Sequence, residues 1–239
     1  MAGDNRDLVA GTSSADEVDA FLKRVAATAP ARPAGGRGRL MFAMDATASR
    51  QPTWDRAIQI QGEMFEATSA LGGLDVKLVF YRGFRECKSS PWLSGGPDLT
   101  RRMSSVFCLG GQTQIGRVLE HALTETRRTK VDALVFVGDF MEEDADALCH
   151  SAGELGLLGV PVFVFHEGGE PLARRTFEQV ARLSRGAYCP FDANSARQLK
   201  DLLSAVAVYA AGGHRALEDY GRRGGSQDVL RLTAQIGRR

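Results

Sequence analysis

The sequence predicts an α/β fold: a Rossmann-like, doubly wound, mostly parallel six-stranded sheet with one short antiparallel edge strand and helices on both faces. Short continuous apolar runs recur along the chain, which is typical of strands buried on both faces. Segments with the 3.6-residue periodicity of amphipathic helices separate these runs. Strands that alternate with helices form βαβ units, and such units build a parallel sheet covered by helices.

The apolar runs place the strands. Leu40–Met44 is the first uninterrupted run, and the stretch from Phe84 to Ser90 turns back as a short edge strand that Lys88 and Pro91 protect from further pairing. The predicted strands are 40–44, 76–81, 84–90, 133–137, 160–165 and 187–190.

The helices follow from periodicity and from their end signals. Pro52 suits the first turn of the first long helix, and Gly72-Gly73 is a C-cap signal that ends it. The last helix is closed in the same way by Gly212-Gly213. The predicted helices are 52–71, 99–106, 115–123, 145–157, 177–183 and 195–211.

The segments outside this pattern divide the chain into three parts. Residues 1–37 combine a short helix over 14–28 with a Pro-, Gly- and Arg-rich linker, and residues 38–213 form the α/β domain. Residues 214–239 form a basic C-terminal tail, with six arginines against three acids. The N-terminal helix packs on the domain or docks on a partner, and the tail is solvated or contacts an acidic partner.

Composition excludes several classes of protein. The chain has 239 residues, of which 44% are hydrophobic and 25% charged, so disordered, collagen-like and coiled-coil proteins are excluded. A net charge of +1 gives no overall field that would attract nucleic acid or an anionic membrane, so neither is an expected partner. The N-terminus lacks a secretory signal and the four cysteines form no C-x-x-C motif, so we expect reduced thiols and a cytoplasmic location.

Oxygen-bearing side chains follow two of the predicted strands and one loop. The first strand runs directly into Asp45-Ala-Thr47-Ala-Ser49, and the strand 133–137 is followed by Asp139. Between them, Thr113 follows a Gly-Gly pair and precedes a helix. The carboxyl ends of parallel strands meet at one edge of a sheet, where ligands bind at the point at which strand order reverses. We therefore expect these five side chains to lie close together.

The chemistry of this set favours a hard divalent cation. Two carboxylates and three hydroxyls supply only hard oxygen ligands, which suit Mg²⁺ best and Mn²⁺ or Ca²⁺ as alternatives. Zinc is disfavoured, because Cys149-His150 is an isolated pair without a second cluster. With so few protein ligands, one coordination position is expected to stay open.

At these residues the chain resembles the von Willebrand factor type A (VWA) domain, of a bacterial intracellular type. The resemblance covers roughly residues 38–213. That family's metal-ion-dependent adhesion site (MIDAS) combines D-x-S-x-S, a Thr from a second loop and an Asp that ends the fourth strand. Asp45, Thr47, Ser49, Thr113 and Asp139 match these positions.

The resemblance implies a binding module and not an enzyme. A partner protein's Asp or Glu would fill the open position, and an ATPase or a multi-subunit assembly is the kind of partner implied. Two departures are present: Thr47 replaces the usual Ser, and Phe140 follows Asp139 where Gly is common. The second departure leaves open whether Glu142, Glu143 or Asp144 contributes in place of Asp139.

Other interpretations of the same residues remain open. Ser49 and Thr113 could cap the helices that follow them. Asp45 could act as the nucleophile or metal ligand of a phosphotransferase or hydrolase, although Thr47 stands where such enzymes typically have a second Asp. The chain could also be a scaffold with a vestigial metal site. His166, after the strand 160–165, is expected to be a hydrogen-bonded residue at the rim.

Overall fold

The computed structural model describes residues 37–68, 73–191 and 196–223. They form a six-stranded sheet with strand order β3-β2-β1-β4-β5-β6, in which only the β2–β3 pair is antiparallel. The predicted architecture, including the antiparallel edge strand, is confirmed. The order reverses at β1, which lies between β2 and β4. The strands are β1 Gly38–Asp45, β2 Leu74–Arg82, β3 Glu86–Ser89, β4 Ala133–Gly138, β5 Val162–Glu167 and β6 Ala187–Phe191.

Helices cover both faces of the sheet. They are α1 Gln51–Thr68, α2 Gly96–Ser104, α3 Ile115–Arg128, α4 Ala145–Leu157, α5 Pro171–Leu183 and α6 Ala196–Arg223. Side chains of alternate strand residues point to opposite faces, so each strand contributes to two buried layers. Phe42 and Met44 of β1 pack in the layer with α1, α2 and α6, whereas Met41 and Ala43 pack in the layer with α3, α4 and α5.

Several element boundaries differ from the sequence prediction; α2, for example, spans 96–104 instead of 99–106. Helix α3 continues past 123 to Arg128, and α5 begins at Pro171 instead of Phe177. The early start of α5 has a local cause: the Glu170 carboxylate accepts hydrogen bonds from the backbone N–H groups of Leu172 and Ala173, and Pro171 occupies the first turn. Strand β5 begins after Pro161, at Val162.

As predicted, the glycine pair 212–213 ends a helical part of α6, but a second helical part follows it. Gly213 has a φ of 69°, a conformation that breaks the helix, and a second helical part then runs to Arg223. Ala216 of this part is buried, and Tyr220 packs on the same apolar layer. Residues 214–223, predicted as the start of a basic tail, are therefore helical.

Helix α6 packs closely on the start of β1. A Cβ placed on Gly38 would lie 2.5 Å from the carbonyl oxygen of Ala210, so the helix backbone occupies the space of a side chain. We expect Gly38→Ala to lower the free energy of unfolding by about 1–3 kcal/mol, as overpacking does in other cores. The matched control is Gly153→Ala in α4, where nothing lies within 4 Å of an added Cβ.

The control should be neutral or stabilising by up to about 1 kcal/mol, because alanine favours helix over glycine. Chemical denaturation of both variants measures the difference. Equal stability of the two variants would contradict the close packing of α6 on β1.

Some predicted features lie outside the described residues. They include the helix over 14–28, the linker up to residue 36, the Gly72 end signal and the tail after residue 223. All four cysteines are unpaired, as predicted. None of the helices in the described ranges is both long enough and apolar enough to cross a membrane.

Candidate metal centre

The five predicted site residues meet at the carboxyl edge of the sheet, where β1 and β4 end side by side. They line one cavity of about 360 Å³. The same cavity is lined by five further residues: Ala48, Gly110, Gly111, Phe140 and Glu142. The structure thus brings together side chains from three separate segments of the chain. The predicted clustering at one edge is observed.

Asp45 lies deepest in the site. It is the last residue of β1, pairs in register with Tyr81 of β2, and its side chain is only 1% exposed. One carboxylate oxygen, Oδ1, accepts a hydrogen bond of 2.7 Å from the N–H of Thr47. The other, Oδ2, is buried and accepts no hydrogen bond of ordinary geometry among the described residues, although the Thr47 and Tyr81 hydroxyls lie close enough to interact with the carboxylate. Burial raises the pKa of the Asp45 carboxyl, and the nearby Asp139 adds to this effect.

The state of Asp45 Oδ2 bears on whether the site can bind a cation. A buried carboxylate oxygen without a donor costs free energy unless a cation or a proton neutralises it. Tyr81, which pairs with Asp45 across β1 and β2, stacks on Phe136, and burial together with the Asp45 charge raises the pKa of its hydroxyl well above the ordinary value. The donor set around Oδ2 is therefore compatible with a divalent cation.

Thr113 has one lone pair left for a ligand. Its hydroxyl donates to Glu143 Oε2 at 2.5 Å and accepts a hydrogen bond of 2.9 Å from the N–H of Glu142. A hydroxyl has one donor hydrogen and two acceptor positions, so these two contacts leave one acceptor position unused. Because Thr113 lines the cavity, that position is available to a cation.

Glu142, Glu143 and Asp144 have three different roles. Glu142 lines the cavity, and its carboxylate accepts a hydrogen bond of 2.9 Å from the N–H of Thr113. Glu143 accepts hydrogen bonds from the N–H groups of Ile115 and Gly116 at the start of α3. Asp144 caps α4 through the N–H of Ala147. Asp139 and Glu142 are therefore the acids that reach the cavity from this loop.

Ser49 and Thr113 do not cap the helices that follow them. The Ser49 hydroxyl donates to Asp139 Oδ2 at 3.1 Å, which joins the β1 loop to the β4 loop. The N-terminus of α3 is instead satisfied by Glu143. Both hydroxyls are thus directed toward the site, which weakens the capping interpretation.

A buried arginine lies behind the site. Arg50 is 2% exposed and forms an ion pair with Glu167, which also accepts a hydrogen bond of 2.6 Å from Thr53. The same guanidinium group lies 3.7 Å from Asp139 Oδ2. Arg50 therefore links the β1 loop to the ends of β4 and β5 and partly neutralises the acids there.

His166 supports Asp139 from below and does not lie at the rim. It belongs to β5 and is fully buried, with Nδ1 2.8 Å from the Tyr188 hydroxyl and Nε2 3.1 Å from the Asp139 carbonyl oxygen. Burial lowers the pKa of His166, which favours the neutral ring. The predicted hydrogen bonding is confirmed, whereas the predicted rim position is wrong because β5 extends two residues further than the sequence pattern indicated.

Sequence reasoning missed the supporting roles of Arg50 and Glu143. An arginine directly after the D-x-T-x-S segment, followed by polar Gln51, was a weak signal of a buried ion pair. For Glu143 the only signal was the acidic run 142–144, which does not show which member contacts α3. Both roles depend on contacts between residues that are far apart in sequence.

Glu143 is expected to orient Thr113 and stabilise α3 at the same time. Glu143→Ala should cost about 1 kcal/mol of stability, as the loss of other caps does, and should also weaken divalent-cation binding. Asp144→Ala is the matched control, because it removes a cap of α4 and does not contact Thr113. Thermal unfolding and isothermal titration with Mg²⁺ separate the two effects. Equal cation affinity in the two variants would show that Glu143 has no positioning role.

The site is built from carboxylates and hydroxyls. Among residues 37–68, 73–191 and 196–223, no group of three or more His, Cys, Asp and Glu side chains is arranged to hold a metal ion. The predicted ligands instead include three hydroxyls, Thr47, Ser49 and Thr113, beside Asp45 and Asp139. The candidate ligand set therefore depends on hydroxyl oxygens as well as on carboxylates.

The fold is similar to several solved structures. One is proximal thread matrix protein 1 from the mussel byssus, in a structure with a zinc-occupied MIDAS motif. The match has a TM-score of 0.57 at 16% identity and covers 74% of this chain and 49% of that chain. This chain thus spans about half the length of the mussel protein. The VWA domain of SpRpn10 gives a TM-score of 0.55 at 14% identity, over 70% of this chain and 94% of that one.

A third similar structure is the vWF domain of the type V pili tip protein Mfa5 from Porphyromonas gingivalis. Its TM-score is 0.56 at 10% identity, over 74% of this chain and 97% of that chain. No protein-family model matches the sequence, and no curated protein is similar to it in sequence. The structural matches define the class of architecture: this chain has the von Willebrand factor type A fold. The fold that the resemblance implied is confirmed.

Proposed function

We propose that the protein is a divalent-cation-dependent protein-binding module. Asp45, Thr47, Ser49, Thr113 and Asp139 would hold the cation, with Mg²⁺ as the favoured ion, and a carboxylate of a partner protein would occupy the open position. The observation that carries the proposal is the Asp45 Oδ2 atom, which is buried and accepts no hydrogen bond of ordinary geometry, in a residue that lines one cavity with the other four.

Charge and coordination explain why the partner would supply a carboxylate. The five predicted ligands include only two anionic groups, and Asp139 shares its charge with Ser49 and Arg50. These carboxylates neutralise a divalent cation but leave a coordination position open, and an anionic oxygen ligand is a suitable donor for that position. Binding would then require both the cation and the partner's acid.

The proposal gives the site no catalytic role. The described residues that line the cavity include no His, Cys or Lys side chain that could act as a base or nucleophile. The alternative is an enzyme that uses Asp45 as its nucleophile, which would require Oδ2 to face the substrate. An activity screen tests this alternative. A phosphatase screen should show no activity that depends on Asp45, and hydrolysis abolished by Asp45→Asn would contradict a binding-only role.

Thr113 offers a conservative test of the cation site. Thr113→Val keeps the shape of the side chain and removes the hydroxyl oxygen, whereas Thr113→Ser keeps the oxygen and removes the methyl group. We expect isothermal titration to give at least roughly tenfold weaker Mg²⁺ binding for Thr113→Val, the equivalent of about 1.4 kcal/mol. Thr113→Ser should bind nearly as the parent does. Unchanged binding by Thr113→Val would exclude Thr113 as a ligand.

A further inference from the structure

Four large apolar side chains are exposed around the candidate metal centre. Their exposed fractions are 76% for Phe84, 72% for Phe107, 54% for Leu109 and 45% for Phe140. We call these four residues the apolar collar. Exposed aromatic side chains gathered at one surface are a typical mark of a protein-binding site.

The collar flanks the cavity on two sides. Strand β1, which ends in Asp45, lies between β2 and β4. Phe84 follows β2, and Phe140 follows β4 and itself lines the cavity. Adjacent strands lie about 4.8 Å apart, so the two loops are separated by roughly two strand spacings, with the cavity between them.

Phe107 and Leu109 lie on the β2 side of the cavity. The N–H of Leu109 donates to the carbonyl oxygen of Ala46 at 2.9 Å, which places this loop directly over the end of β1. Gly110 and Gly111, the next residues, line the cavity. The loop that carries Phe107 and Leu109 thus adjoins the candidate metal centre.

The β2–β3 turn holds Phe84 on a fixed backbone. Gly83 and Arg85 on either side of Phe84 have φ values of 56° and 73°, and the second is unusual for a residue with a side chain. The Arg117 guanidinium group donates to the carbonyl oxygen of Arg85 at 2.5 Å, and the buried Gln114 side chain donates to that of Arg82 at 3.3 Å. These contacts hold the turn with Phe84 directed to solvent.

The turn and the glycine loop form one unit. The N–H of Gln112 donates to the carbonyl oxygen of Gly83 at 3.1 Å, and a Cβ added to Gly111 would lie 2.1 Å from that same oxygen. The Arg82 guanidinium group also donates to the carbonyl oxygen of Phe107 at 2.6 Å. Exposed side chains on such a preorganised backbone lose little entropy on binding, which is a property of interface hot spots.

We propose that the collar selects the partner: the site binds a protein segment in which one Asp or Glu is flanked by apolar side chains. This inference rests on the proposed function, because the cation supplies the attraction for the carboxylate. The cation would bind the partner's carboxylate at the cavity. The collar lies on both sides of the cavity and would therefore favour apolar residues next to that acid. A small free carboxylate would contact the cation alone and gain nothing from the collar.

A displayed peptide library with one fixed central Asp and random flanking residues tests the proposal on the full chain in Mg²⁺. We expect the selected peptides to be enriched in aromatic and aliphatic residues beside the Asp and to be released by EDTA. Phe84→Ser and Phe107→Ser should each weaken a selected peptide by about tenfold or more, as loss of a hot-spot side chain does. Both variants should keep the Mg²⁺ affinity of the parent.

The matched control is Leu157→Ser. Leu157 is 85% exposed and lies at the end of α4, on the sheet edge opposite the site. Its replacement should leave peptide binding unchanged.

The outcomes separate this inference from the proposed function. Peptides that need Mg²⁺ but show no apolar preference, or that bind both Phe variants normally, would overturn the collar and leave the cation site intact. Peptides that need the collar but not Mg²⁺ would support an apolar docking surface and overturn the cation-dependent mechanism, and with it the inference as stated. Failure to select any peptide from the library would also count against it.

Discussion

Asp45→Asn is expected to make the protein more stable in EDTA and unresponsive to Mg²⁺. In the absence of a cation, the charged Asp45 is 1% exposed with one oxygen unpaired. Removal of the charge should therefore raise the free energy of unfolding by about 1–3 kcal/mol, the usual penalty of a buried unsatisfied group. The parent protein should gain about 2.7 kcal/mol when Mg²⁺ is present at 100 times its dissociation constant, and the variant should gain nothing.

The difference in free energy of unfolding between the variant and the parent should thus shrink or change sign between EDTA and saturating Mg²⁺. Thermal unfolding in both buffers measures this difference. Asp98→Asn is a suitable control, because it makes the same charge change at an exposed residue of α2 that does not line the cavity. A variant that is less stable than the parent in EDTA would show that Asp45 serves mainly as a structural residue.

The pH dependence of this difference has a defined sign. Burial raises the pKa of Asp45 in the folded state above its ordinary value of 3.8. The folded protein therefore binds the proton more tightly than the unfolded chain, and charged Asp45 is destabilising above the raised pKa. In EDTA, the stability difference between the variant and the parent should be largest at neutral pH and should shrink as the pH falls toward 3.8.

Arg50→Met is expected to give the largest loss of stability. The Arg50 guanidinium group is 2% exposed and pairs with Glu167, so its removal leaves a partly buried carboxylate with Thr53 as its remaining donor. Breaking one partner of a buried ion pair costs about 3–5 kcal/mol in other proteins, and the 20% exposure of Glu167 places the expectation near the lower limit, about 3 kcal/mol.

A double-mutant cycle identifies the cause. Arg50→Met with Glu167→Gln should recover much of the stability, because the uncompensated charge is removed together with its partner. Urea unfolding of the parent, the two single variants and the double variant gives the coupling energy. Additive losses would mean that Arg50 acts through packing and not through the ion pair with Glu167.

The sequence predicted the sheet and the location of the site because both depend on local patterns. Leu40–Met44 and 133–137 are uninterrupted apolar runs, and such runs form strands buried on both faces wherever they occur. The rule that parallel strands end at a common edge then brought Asp45 and Asp139 together, whereas Thr113 was added from the loop between them and from the VWA resemblance. The cavity in the structure contains all three.

The remaining features depend on tertiary contacts that no local pattern encodes. Glu143 contacts the start of α3, 28 residues earlier in the chain, and Thr53 contacts Glu167 over 114 residues. The second helical part after Gly213 was not predicted, because it depends on the packing of Ala216 and Tyr220 on the core and the glycine pair does not encode that contact. His166 was placed one position beyond its strand because the apolar run ends at Phe165 although the strand pairing continues to Glu167.

A crystal structure of the full chain grown with Mn²⁺, with anomalous scattering recorded at the manganese edge, would show whether a cation binds in the cavity. We expect one anomalous peak in the cavity, within direct coordination distance of Thr113 and of the hydroxyls of the 45–49 loop, with an open side that faces the Phe140 rim. A parallel crystal of Asp45→Asn should lack this peak. Saturating Mn²⁺ without a peak in the cavity, or a peak bound only by residues elsewhere, would exclude the proposed cation site.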